Sequence, residues 1–163
     1  MEAKEIIGQI HRQWLIAKDL RRQRCEAANM GEVAEKLAAC DLFKGTEDLA
    51  GLAALFTSPQ GVEFCIAANF PNLATLRLFK RHGVERYGIH IDAGNITLKN
   101  PKTAVLIGKT TATIKCDTCE KHTVIAMHGA AATVLASGWA VVRTETGTSA
   151  NITKRTTDNA IIL

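Results

Sequence analysis

Four short apolar positions recur through the second half of the chain, at Ile96, Ile114, Val134 and Ile152. Each is preceded two residues earlier by a residue with little or no side chain: Gly94, Ala112, Ala132 and Ala150. The steps between them are 18, 20 and 18 residues, and a second series, Leu106, Ile125, Val142 and Ile162, falls between them at steps of 19, 17 and 20. Two interleaved series at near-constant steps point to a solenoid, in which each turn of about 18 residues contributes short strands that stack on those of the next turn. Rungs spaced about 4.8 Å apart favour small residues over small and branched over branched. The first two columns are then the small and the branched positions above, and a third is Leu98, Cys116, Ala136 and Lys154. Gly108, Gly129 and Gly147 precede the branched column at nearly constant distance and are expected to turn the chain at one recurring corner. Lys99-Asn100-Pro101-Lys102, Glu120-Lys121 and Lys154-Arg155 mark the other turns. Lys154 also ends the third column, so that column stops there or meets water in the last turn.

The first half has a different period. Ile6, Ile7, Ile10, Trp14, Ala17 and Leu20 follow three- and four-residue steps, which predicts one long helix over residues 2–27. Gly31 interrupts it, and a short helix follows over 32–40. Thr46 is the expected N-cap of a helix over 47–56, Ser58-Pro59 starts the next, Pro71 opens a last one, and Gly83 is placed for a left-handed C-terminal cap. The fold class expected is α+β, an N-terminal helical cap over 1–83 followed by a short parallel β-solenoid of about four coils over 84–163. The helices are expected to cover the first end of the stack. The other end carries Ile161-Ile162-Leu163 after a polar turn, and an open edge there is most simply covered by a second copy. A homo-oligomer formed through that end is the partner expected from sequence, with another protein partner also open.

Composition narrows the classes of function. The chain is 47% apolar and 5% aromatic, with a net charge of +4 split as +1 over residues 1–87 and +3 over the remainder, too even for a strongly basic nucleic-acid face. No apolar run has the length of a membrane span, and the acidic N-terminus lacks signal-peptide features, so a cytoplasmic chain is expected. An odd count of cysteines, Cys25, Cys40, Cys65, Cys116 and Cys119, fits reduced thiols.

Chemistry-bearing clusters are few. Cys116-x-x-Cys119-x-x-His122, with His128 as the nearest fourth donor, has ligand types and spacing compatible with zinc, against a plain reading as core and turn residues. His90, His122 and His128 are candidate bases, but Asp92, Asp117 and Glu145 are scattered turn acids and no nucleophile is paired with them. No cofactor motif is present, so no cofactor is expected and enzymatic activity stays undecided. Arg77, Lys80, Arg81, His82 and Arg86, with Arg21, Arg22 and Arg24, form the alternative, a nucleic-acid surface. Threonines such as Thr110, Thr111, Thr113, Thr146 and Thr148 fit strand propensity and also a flat, water-ordering face.

Met127-His128-Gly129-Ala130-Ala131-Ala132, Ser137-Gly138-Trp139-Ala140 and the ending Asp158-Asn159-Ala160-Ile161-Ile162 resemble segments of uncharacterised small helical-cap plus β-repeat proteins of Bacteroides-type gut bacteria and their mobile elements. The resemblance implies a bacterial, mobile-element setting and carries no functional residue. The function expected is a structural or protein-interaction module.

Overall fold

The apolar stripe of the first segment buries Ile6, Ile7, Ile10 and Trp14 on one face of α1 (Ala3–Ala27) in the computed structural model, which describes residues 1–163. A capping box between Glu2 and Glu5 starts that helix, each side chain accepting from the other's backbone N–H. Asn29, in the left-handed region at φ 57°, lets the chain reverse into α2 (Gly31–Ala39). Lys18 fixes the resulting antiparallel pair: its Nζ donates to the carbonyls of Cys40 (2.9 Å) and Ala38 (3.3 Å), groups that the end of α2 leaves without helical partners. The same ammonium lies 4.6 Å from the centre of the Trp14 ring.

One predicted cap moves. Asp48, not Thr46, caps α3 (Leu49–Thr57), accepting from Gly51 N–H at 2.7 Å. Glu47 instead turns back into the loop, where its Oε1 accepts from Lys44 N–H at 2.8 Å. Burial alone would raise the Glu47 pKa; the N–H groups of Lys44, Glu47, Gly45 and Thr46 hold it below the usual carboxylate value. Ser58 caps α4 (Pro59–Ala68) as expected, accepting from Gly61 N–H, and the chain bends by 79° between α3 and α4. The last helix, α5 (Leu73–Leu78), opens two residues after Pro71, with Asn72 Oδ1 accepting from Thr75 N–H at 2.9 Å. No single helix is long and apolar enough to cross a membrane.

The chain divides into two compact units, Met1–Leu78 and Phe79–Leu163. The second begins with two 3-10 turns, Phe79–His82 and Val84–Tyr87, separated by Gly83 in the left-handed conformation. Nine strands follow: β1 (Ile89–Ile91), β2 (Gly94–Lys99), β3 (Thr103–Ile107), β4 (Thr110–Cys116), β5 (Lys121–Met127), β6 (Ala131–Ala136), β7 (Val141–Thr146), β8 (Asn151–Thr156) and β9 (Ile161–Ile162). They form two parallel sheets, ordered β1-β3-β5-β7-β9 and β2-β4-β6-β8. Odd and even strands alternate between the sheets, so the chain winds as a β-solenoid of about four turns, and the fold is α+β.

The register corrects the expected columns. Thr111 lies opposite Ala131 and Ala131 opposite Asn151, steps of 20 residues, and β3-β5, β5-β7 and β7-β9 also pair at 20. Only the first turn differs, with Gly94 opposite Thr110 and Ile89 opposite Val105, steps of 16. The observed inward columns are therefore Ile96, Ala112, Ala132, Ile152 and Leu98, Ile114, Val134, Lys154. Of the expected columns, the pairs Ala112-Ala132, Ile114-Val134 and Cys116-Ala136 hold, whereas Gly94, Ile96 and Leu98 on the first turn and Ala150, Ile152 and Lys154 on the last sit two residues out of register. In the other sheet only Val142-Ile162 of the expected series is a true pair; Leu106 stacks on Ala126, and Ile125 on Val105 and Glu145. The missing four residues are at one corner. Between Lys99 and Thr103 the first turn has three residues, 100–102, whereas between their partners Lys115 and Thr123 the next turn has seven, 116–122.

Corners are held by left-handed residues and side-chain bonds. Gly108 and Gly129 have positive φ, as a turning corner requires, but Gly147 does not, and Ser149 at φ 62° takes that role. Inside, Ala104, Leu106, Ile114, Val124, Val134 and Val142 reach 0% exposure, with small Ala112, Ala126 and Ala132 between them. The outer faces differ. On the odd-strand sheet Val105, Ile107 and Ile125 are also buried, whereas on the even-strand sheet Thr97, Thr113, Thr133 and Thr153 form one in-register outward ladder.

Candidate functional site

Strand parity decides what the cysteine-histidine cluster can do. Cys116 ends β4 on its inward face, stacked opposite Ala136 and 1% exposed, and burial, with Asp117 adding to it, pushes its thiol up to about 11. Three residues later the chain is on the outside of the corner, so Cys119 is exposed. His122 has re-entered the wall at the start of β5 and is 1% exposed. Its Nδ1 lies 2.8 Å from the Pro101 carbonyl, which only accepts, so Nδ1 carries the hydrogen; its Nε2 is 3.2 Å from Thr118 Oγ1. Both ring nitrogens are thus engaged, and His122 is the rung below Val142 and Ile162 in one inward column. His128, half-buried with φ 53°, lies beyond the far end of β5 at the opposite corner. Cys116, Cys119, His122 and His128 are therefore not gathered around one point, and no group of three or more His, Cys, Asp or Glu side chains has the arrangement of a metal site.

The candidate acids serve the corners. Asp117 accepts from Asn100 Nδ2 at 2.6 Å while Asn100 Oδ1 accepts from Asp117 N–H at 2.8 Å, a reciprocal pair that ties the first two turns together. The Asn100 bond, and secondarily the nearby Lys99 ammonium at 3.6 Å, holds the Asp117 carboxyl below its usual pKa. Asp92 Oδ1 accepts from Lys109 N–H at 2.7 Å, and Glu145 pairs with Arg143 at 2.6 Å. His90 faces inward: it pairs with Leu106, while Ile89 and Ile91 share the outer face with Val105 and Ile107. The alternation around His90 therefore marks the outer side of the sheet, the reverse of an apolar-in pattern. Burial lowers the His90 pKa from 6.5, with Glu85 opposing that shift.

The basic residues are distributed over both units and many are already engaged. Arg22 bonds Asp19 at 2.7 Å and Glu26 at 2.6 Å, Arg21 reaches the Ala67 carbonyl, Lys80 donates to the Asp92 carbonyl at 2.8 Å, and Arg86 lies 4.9 Å from the Tyr87 ring centre. Trp14 is 6% exposed and belongs to the helical core.

The C-terminal end of the solenoid gathers exposed apolar side chains beside two open strand edges. β8 and β9 are the last strands of the two sheets, and each is paired on one side only. Ile152, Ile162, Ala150 and Ala160 pack on the core yet remain partly uncovered. Ile161 is 52% and Leu163 66% exposed, and Trp139, at the corner one turn back, is 66% exposed. Sequence reasoning missed Trp139 as a surface aromatic. The signal was its place in Ser137-Gly138-Trp139-Ala140, a turn with Gly138 at φ 62°, where a side chain has no rung to stack on. Compared with known proteins, the chain matches no family model, no curated protein and no solved structure.

Proposed function

We propose that the protein is a structural, protein-interaction module that self-associates through the C-terminal end of its solenoid. One observation carries the reading: in the unit Phe79–Leu163 the large apolar side chains that stand exposed are Trp139, Ile161 and Leu163, all on the last turn or the corner beside it. The unpaired N–H and C=O groups of β8 and β9 add a hydrogen-bonding edge to that apolar surface. A second copy related by a two-fold axis covers both at once. If β8 pairs antiparallel about Thr153, Lys154 stands opposite Ile152 of the partner subunit and Arg155 opposite Asn151 of the partner subunit, so that like charges do not face each other. Registers centred on Lys154 or Arg155 would instead bring like charges together. A cytoplasmic setting, with all five thiols reduced, belongs to the same reading.

Solution mass tests it. The parent protein is expected at twice the chain mass of 17.6 kDa, and removal of residues 160–163 to give a monomer. Because β9 also pairs with β7, the double variant Ile161→Lys, Leu163→Lys serves as the gentler test, since both side chains are exposed already. A monomeric parent, or a dimer that survives both changes, removes the proposal.

A further inference from the structure

Within the helical unit, α1, α2, α3 and α4 line a half-open cavity of about 360 Å³, inside the range of about 300–1,000 Å³ common for small-ligand sites. Its walls are apolar, with Trp14, Leu37, Phe43, Leu55, Phe56 and Phe64 prominent. The rings brace one another edge to face: Phe43 meets Trp14 at 5.8 Å and Phe56 at 5.4 Å between centres. This bracing fixes the walls without filling the space between them. Val33 and Leu42 also line the cavity and stay 44% and 60% exposed, so an apolar rim is left for an occupant to cover.

The charged groups on the lining are Arg21 and Lys36 against a single acid, Glu63. Lys18 bonding the carbonyls of Ala38 and Cys40 sets the antiparallel register of α1 and α2. Three residues closer to the hairpin turn on each helix, Arg21 and Lys36 come to the same level. The Arg21 guanidinium is further held across toward α4 by its 3.4 Å bond to the Ala67 carbonyl. Cys65 also lines the cavity, but burial pushes its thiol up to about 12, so it serves as wall and not as nucleophile.

We propose that this cavity binds a fatty-acid-like amphiphile, with a medium-length acyl tail against the phenylalanine walls and an anionic carboxylate head at Arg21 and Lys36. A carboxylate there gains charge-assisted hydrogen bonds that an alcohol cannot match, and a cationic head meets only Glu63.

The test uses the full chain carrying Trp139→Phe, which leaves Trp14 as the sole indole. Dodecanoate is titrated below its micelle concentration, with Trp14 emission and isothermal calorimetry as readouts, alongside dodecanol and dodecyltrimethylammonium. A saturable one-to-one response to dodecanoate is expected, weaker binding of dodecanol, and none of the cation. Arg21→Ala with Lys36→Ala should weaken dodecanoate about tenfold or more, as loss of charged hydrogen bonds implies. Val33→Phe, placed at the exposed rim so that helix content by circular dichroism is retained, should block the tail. No saturable response to dodecanoate, binding of the cation as tight as that of the acid, or insensitivity to the Arg21 and Lys36 substitutions would each overturn the proposal.

Discussion

The middle turns of the solenoid and its last turn use the same columns under different cover. Ile114 and Val134 are 0% exposed, whereas Lys154, next in that column, is exposed; Ala112 and Ala132 are buried, whereas Ile152 above them is only half covered. Val142 is 0% exposed and Ile162, its neighbour toward the end, is half-buried. A rung in such a stack is stabilised by the rung on each side, so the outermost one has half the cover of an interior one. The sequence marks the change: the inward column turns cationic at Lys154, and aromatic and aliphatic side chains appear outside at Trp139, Ile161 and Leu163. The end of the stack is thus a surface where an interior pattern stops, one that an incoming strand would complete under the proposed self-association.

Removing the same kind of side chain from the two places should separate them most. Ile114→Ala in the interior is expected to cost about 2–5 kcal/mol, the usual range for a fully buried aliphatic. Ile152→Ala on the last turn should cost about 1 kcal/mol or less in dilute, monomeric protein, because half of that side chain already meets solvent. Urea unfolding of both variants measures the difference, and equal losses would break the contrast between interior and end.

A moderate effect is expected at the first turn, where His90 closes an inward column. Burial lowers its folded pKa below the 6.5 of the free group, so folding favours the neutral ring. Its contribution is fully present above pH 6.5 and is lost as pH falls through the lowered folded value. Stability of the parent should therefore drop between neutral and mildly acidic pH more steeply than that of His90→Gln. Parallel pH profiles of thermal unfolding, coincident for the two proteins, would show that the ring is not held neutral. The smallest perturbation is chemical labelling. Cys119, exposed at a corner, should react with iodoacetamide in the native protein, while Cys116 and Cys65, with thiols pushed to about 11 and 12, should react only after unfolding. Peptide mapping checks the order, and native labelling of Cys116 would contradict its inward place.

The same contrast explains how much of the fold was legible. Strand and corner positions were visible because small and branched residues recur. In the even-strand sheet inward-outward parity survives a slip of two residues, whereas in the odd-strand sheet the steps of 19 and 17 put Ile125 on the opposite face from Leu106 and Val142. The slips are hidden in the sequence because steps of 18 stand midway between the true 16 of the first turn and the true 20 of the last, so Ile96 and Leu98, and Ala150 and Ile152, suit either alignment. His90 was misleading for another reason. The odd-strand sheet is apolar on both faces, with Val105 and Ile107 outside and Ala104 and Leu106 inside, so alternation there does not identify the interior. Spacing placed Cys116, Cys119 and His122 close in sequence, but a corner between them sends their side chains inward, outward and into the wall. The apolar end triplet was readable, whereas Trp139 was not, since its exposure follows from a turn geometry that hydropathy does not encode. The cavity among the helices depends on side chains from four elements and the register that Lys18 sets, neither of which a linear pattern carries.

Hydrogen exchange measured at several protein concentrations tests self-association at the solenoid end most directly. Amides of β4 and β6 should exchange at rates independent of concentration, since interior rungs are paired on both sides. The outward-edge amides of β8 and β9 should slow as concentration rises, and Ile161→Lys with Leu163→Lys should abolish that slowing. Exchange in β8 and β9 that stays fast and independent of concentration while the protein remains a dimer would place the interface elsewhere and contradict the proposed role of this end.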